Sequence, residues 1–220
     1  MKFMHTVVLG VALVAIAGVA NAATSEIGIK GGVAVQKLDG EPIENFDIEN
    51  RTGFVGGAYF QHNVSRNFGL RVEALYYMKG AAGDSADFDV TLKLDYVEFP
   101  VLLVGRIPLS ETARLNLFGG PTLSLKTKSE IEVSAFGLTF NEDIEDGING
   151  FDFGLTFGAG LSFDLGGAVL GFDGRYGFGL SNIIDADALE DQGIPVGDDD
   201  EVKNQGFAFM ASIGIPLGSE

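Results

Sequence analysis

Between Phe151 and Phe163 the sequence alternates with a period of two. Phe151, Phe153, Leu155, Phe157, Leu161 and Phe163 stand opposite Asp152, Gly154, Thr156, Gly158, Gly160 and Ser162. Such a pattern sorts side chains onto the two faces of a β-strand, whereas a helix would scatter them around its axis. It recurs along the chain. Ile27, Ile29, Val33 and Val35 oppose Lys30, Ala34 and Gln36, and Phe68, Leu70, Val72, Ala74, Tyr76 and Met78 oppose Arg71 and Glu73. Leu115, Leu117, Leu123 and Leu125 oppose Asn116, Thr122 and Ser124. Phe172, Tyr176, Phe178 and Leu180 oppose Asp173 and Arg175, and Phe207, Phe209, Ile213 and Ile215 oppose Ala208, Ser212 and Gly214. Two further runs, Gly53 to Val64 and Tyr96 to Gly105, read as strands whose facing the sequence leaves open. The total is eight.

The connections alternate as well. Short turns fall around Ser65-Arg66, Leu109-Ser110-Glu111 and Gly166-Gly167. Longer segments cover Asp39–Arg51, Lys79–Asp87, Lys126–Asn149 and Ser181–Gln205. Short turns at one end and long loops at the other are the plan of an antiparallel up-and-down β-barrel that crosses an outer membrane. A soluble eight-stranded carrier would alternate too, and three features weigh against it. The apolar face runs nearly unbroken over about 9–11 residues per strand, the length that crosses a membrane. The polar face is rich in glycine and poor in charge, unlike a solvated exterior. The charge lies in the loops: five acids against one base in Asp39–Arg51, six against two in Lys126–Asn149, and eight against one in Ser181–Gln205. In lipid no water satisfies an open sheet edge, so the first and last strands must pair.

The first 22 residues read as a secretory signal peptide. Lys2 and His5 precede an apolar run from Val7 to Val19, and Ala20-Asn21-Ala22 places cleavage between Ala22 and Ala23. The barrel domain is then 23–220. The chain has no cysteine, which excludes disulfides and thiol chemistry. A net charge of −17 opposes nucleic acid as a partner.

Six segments carry a resemblance. "IGIKGGV" (Ile27–Val33), "EALYYMKGA" (Glu73–Ala81), "LDYVEFPVLL" (Leu94–Leu103), "LNLFGGPTLSL" (Leu115–Leu125), "DFGLTFGAGLSF" (Asp152–Phe163) and "GRYGFGLSNI" (Gly174–Ile183) resemble the PorT-like outer membrane protein β-barrel family, often labelled the porin family. The resemblance implies an eight-stranded transmembrane barrel in the outer membrane of a Gram-negative bacterium, inserted by the barrel assembly machinery. It implies no single activity and no cofactor. Such barrels usually end on an aromatic residue, whereas this sequence ends Ile215-Pro216-Leu217-Gly218-Ser219-Glu220.

The candidate functional residues are charges on the face predicted to line the lumen: Arg71, Glu73, Glu98, Asp173 and Arg175, with Lys30 nearby. A confined ion is costly unless paired, and both signs are present, so a structural salt-bridge network is expected. A gated ion path and a catalytic carboxylate pair are the competing readings. Pro100 removes a ladder donor and predicts a bulge in the fourth strand. His62, near Asn63 and Ser65, is the one histidine after the signal peptide, and no G-x-S-x-G or H-E-x-x-H accompanies it. The expectation is therefore of no enzyme and no metal centre. Asp198, Asp199, Asp200 and Glu201, with Asp185–Asp191, make an acidic loop without the calcium-loop spacing. It reads as a solvated, self-repelling segment, the alternative being weak divalent-cation or basic-partner contact at the cell surface beside outer-membrane lipid and glycolipid. The leading function is a structural or surface-interaction barrel, and the runner-up is a narrow porin.

Overall fold

The computed structural model describes residues 25–40, 49–84, 88–135, 138–144, 147–185, 188 and 201–218. The predicted signal segment and Asp198 to Asp200 lie outside the described residues. Among the described residues there are nine strands: β1 Ser25–Asp39, β2 Glu49–Asn63, β3 Phe68–Asp84, β4 Phe88–Pro108, β5 Ala113–Ala135, β6 Leu138–Asp143, β7 Phe151–Asp164, β8 Val169–Gly179 and β9 Lys203–Leu217. Eight of them pair antiparallel in the ring β4-β3-β2-β1-β9-β8-β7-β5, which closes through β4–β5. The seam between first and last strands runs from Ser25↔Leu217 to Asp39↔Lys203.

The short strand β6 pairs only with β5, extending that strand's hairpin beyond the ring. This corrects the loop expected over Lys126–Asn149, whose first half continues β5. The loop expected over Lys79–Asp87 is likewise mostly strand, since β3 runs to Asp84 and β4 begins at Phe88. In β5 the residues from Lys126 to Ser129 are polar on both faces and in β3 those from Gly80 to Gly83 are small, so neither strand end shows the apolar row of the lipid-facing belt.

The predicted inversion of the faces holds. Ile29, Phe54, Phe68, Leu103, Phe157, Phe172, Phe209 and Ile215 are exposed, while Glu73, Asp152, Thr156 and Arg175 are buried. Outward glycines lie under neighbouring rings, Gly119 beside Phe157 and Gly174 beside Phe209, so aromatics restore the area that glycine lacks. The three short turns are held by their own side chains. Ser65 Oγ accepts from the amides of Asn67 and Phe68, Ser110 Oγ from those of Thr112 and Ala113, and Asp164 Oδ1 from Gly166 N.

Strand 2, whose facing was open, turns Phe54 outward and Tyr59 into the lumen. In β4, Tyr96, Leu102 and Val104 are buried inside while Val101 and Leu103 are exposed. The lumen is thus partly apolar, which blurred the alternation there. Pro100 does not itself make a bulge. The β3–β4 register is the same on either side of it, from Val72↔Val101 to Leu75↔Glu98, with the intervening pairs missing. The irregularity falls at Asp95/Tyr96 against β5. A missing donor breaks ladder bonds without adding a residue, so the register survives.

Candidate functional site

The lumen is crossed by one compact ionic layer. Glu73 on β3 has a fully buried carboxylate. It accepts from Arg175 on β8 through Nη1 at 2.6 Å and Nη2 at 3.1 Å, and from Lys30 on β1 at 2.8 Å. Lys30 also donates to Asp173 at 2.8 Å, and Arg175 approaches Asp173 at 3.4 Å. Arg71 stands 3.8 Å from both Glu73 and Asp173. Apart from Met210 opposite Asp173, the inward neighbours on β8 and β9 are small, Gly171, Gly177, Gly206, Ala208 and Ser212, which leaves the long side chains room to reach across.

A second polar layer lies nearer the long loops. Lys79 on β3 pairs with Glu98 on β4 at 2.5 Å and approaches Asp152 on β7 at 4.0 Å. Ser124 donates to Glu98, and Asn204 donates to Asp152. Above it the lumen is capped. Leu38, Ala81, Leu94, Tyr96, Ile183 and Val202 form a buried cluster. Segments 147–149, 181–185 and 201–202 are tied over this cluster by backbone bonds from Asn149 N to Ile183 O and from Ile183 N to Val202 O. The Asn149 side-chain amide adds bonds to Asn182 O and Ile184 O.

Two cavities flank the ionic layer, of about 30 Å³ and 20 Å³. Each has room for only a few waters. The larger is lined by Arg71, Arg106, Arg114 and Asn116 toward the short turns, and the smaller by Lys79, Glu98, Thr122 and Asp152 toward the long loops. Arg175 and Glu73 stand between them.

A closed, inverted barrel with a charge-paired interior is one architecture with many unrelated owners, and sequence likeness decides among them. A family model described as "Outer membrane protein beta-barrel domain" matches residues 19–185. The chain belongs to that family. It is therefore an outer-membrane barrel protein of Gram-negative type, and in such barrels the short turns face the periplasm.

Among solved structures, OprG of Pseudomonas aeruginosa is similar at a TM-score of 0.52 and 10% identity, over 90% of this chain and 97% of that one. Neisserial surface protein A is similar at a TM-score of 0.49 and 10% identity, over 88% and 97%. Ail, the attachment invasion locus protein of Yersinia pestis, has a TM-score of 0.41 and 18% identity, over 88% and 99%. The likeness to OprG bears on the fold alone. No curated protein matches the chain.

Within this outer-membrane barrel, four of the five predicted lumen charges gather in one layer: Arg71, Glu73, Asp173 and Arg175. Glu98 does not join them and belongs with Lys79. Sequence reasoning missed Lys79 by assigning it to a loop, although it continues the odd-numbered inward row of Arg71, Glu73 and Tyr77. Outside the apolar belt, Arg51 lies 3.7 Å from Asp95, which accepts from Tyr76 at 2.6 Å.

His62 Nδ1 lies 3.0 Å from Ser25 Oγ, while Ser65 is engaged in its turn. Glu201, from the acidic loop, accepts from Lys203. On the β4–β5 extension Lys93 pairs with Glu132 at 2.6 Å and Lys128 with Glu130 at 2.9 Å. The hydrogen bond to Glu130 raises the Lys128 ammonium above its ordinary value.

Proposed function

We propose that this barrel is a sealed scaffold of the outer membrane that works at the cell surface and not through its lumen. The lumen itself carries the argument. The ionic layer, the Lys79–Glu98 layer and the apolar cap fill the lumen, and the two cavities beside them measure only about 30 Å³ and 20 Å³. The working surface is then the extension of β4, β5 and β6 above the apolar belt, where Phe140 is 63% exposed beside the Lys–Glu pairs. A short edge strand that is paired on one side only suits contact with another chain. The barrel is read as non-enzymatic, since Ser65 is engaged in its turn and Ser25, the hydroxyl beside His62, is only 5% exposed. Its motifs favour the PorT-like branch, with insertion by the barrel assembly machinery.

Planar-bilayer recording of purified protein tests the reading. Conductance near background is expected, and steady open-channel current would overturn it. The runner-up, a narrow porin for small solutes or ions, draws on one observation: a single layer around Arg175–Glu73 separates the two cavities. The acidic segment through Asp198, Asp199, Asp200 and Glu201 is read first as a solvated, self-repelling loop, with weak contact with divalent cations or a basic partner as the alternative assignment. Titrating calcium while following the Glu201 and Val202 amides should move both signals, and no movement at millimolar calcium would end that assignment.

A further inference from the structure

The central layer is not neutral. Lys30, Arg71 and Arg175 face Glu73 and Asp173, three cations against two carboxylates. The four short contacts use Lys30 and Arg175. Arg71 is left with carboxylates at 3.8 Å, beyond hydrogen-bond range, and its Nε donates to the neutral Gln61 at 2.8 Å. Among the described residues its terminal nitrogens have no hydrogen-bonded acceptor. Its side chain is nevertheless only 11% exposed. The guanidinium lies over the Tyr59 ring at 5.5 Å and over the Phe118 ring at 5.5 Å. Two rings and Gln61 thus hold a rigid fork in place, and it lines the periplasmic cavity.

The rest of that cavity favours an anion. Arg106 and Arg114 line it beside the short turns, with Arg114 21% exposed and 3.9 Å from Asp164. Asn116, Ser162 and Ser212 add neutral polar groups, and against the cations Lys30, Arg71, Arg106 and Arg114 the wall has two acids, Asp173, which accepts from Lys30, and Glu26, which accepts from Tyr59. A planar fork with unused donors in a water-poor site is the group that best matches a carboxylate.

We infer that the periplasmic cavity is a binding site for a small monovalent oxyanion, a carboxylate group, held by Arg71 and admitted past Arg114. Its charge offsets the surplus cation of the layer, and the Arg175–Glu73 pair is the floor that keeps it from passing further. The site requires no open pore, so it stands whether or not the barrel conducts.

Sodium acetate titrated into the detergent-solubilised protein at constant ionic strength tests it, read by the Arg71 Nε–Hε resonance. Arg66, in the exposed Ser65–Asn67 turn, is the internal reference. A saturating shift of Arg71 with none at Arg66 is expected, together with a thermal midpoint that rises with acetate. In Arg71→Gln, acetate affinity read through the Asn116 side-chain amide should fall about tenfold or more. No Arg71 shift in the unmodified protein, or an unsaturated drift shared equally with Arg66, would overturn the assignment. The unmodified protein gives that answer even if the variant folds poorly.

Discussion

Replacing Glu73 with glutamine should be the most damaging single change in the lumen, and worse than removing its partner Arg175. At an effective dielectric constant of about 20, unit charges about 2.8 Å apart attract by about 6 kcal/mol, most of it cancelled by desolvation. What remains on breaking a buried pair is about 3–5 kcal/mol. Glutamine keeps the shape but turns an amide N–H₂ toward a cation, because Oε1 accepts from Lys30 and Arg175 while Oε2 accepts from Arg175.

The charge of the layer decides the order. Glu73→Gln leaves Lys30, Arg71 and Arg175 against Asp173 alone. Arg175→Leu leaves Lys30 and Arg71 against Glu73 and Asp173, which balances. The expected losses are about 3–5 kcal/mol for Glu73→Gln and about 1–3 kcal/mol for Arg175→Leu. The double variant restores the original surplus and should unfold later than Glu73→Gln alone. Urea unfolding in lipid vesicles, followed by circular dichroism and heat-dependent gel mobility, gives the three midpoints. If Arg175→Leu is the worse of the two, or both fall within about 0.5 kcal/mol of the parent, the ionic layer is not what holds the interior.

Two further changes probe other parts of the barrel. Gly158 faces inward, where an added Cβ would meet the Phe118 ring and the Gly174 carbonyl, so Gly158→Val should cost about 1–3 kcal/mol in the same unfolding assay. Asn149→Ala removes two bonds across the extracellular cap. Faster hydrogen exchange at the Ile183 and Val202 amides is expected, with the exchange of Thr156 and Arg175 in the barrel wall unchanged.

How much was legible in advance depended on where a residue meets lipid. Phe151 to Phe163 announced both faces of β7, because a wall between hydrocarbon and a polar interior forces strict alternation. Gly53–Val64 and Tyr96–Gly105 did not, since Tyr59, Tyr96 and Leu102 fill the lumen with apolar bulk. The extension of β5 through Lys126–Ala135 was invisible for the opposite reason: both of its faces stand clear of lipid. Arg71, Glu73, Asp173 and Arg175 could be assigned to one interior from parity alone. The separation of Glu98 from them could not, because parity fixes a face and says nothing of height along the axis. Lys79 carried the right parity and was lost to a misplaced strand end.

The central layer also bears on assembly. Its contacts join positions 43, 102 and 143 apart in sequence, drawn from β1, β3 and β8. The two that reach β8 cannot form until both sides of the seam have been brought together, so they belong to the last stage of insertion. Contacts absent from the transition state slow escape from the native state without speeding entry to it. A one-residue slip at the β1–β9 seam would turn Lys30 outward against hydrocarbon. The layer therefore acts as a proofreader of closure, rewarding only the register in which every stave has already found its place.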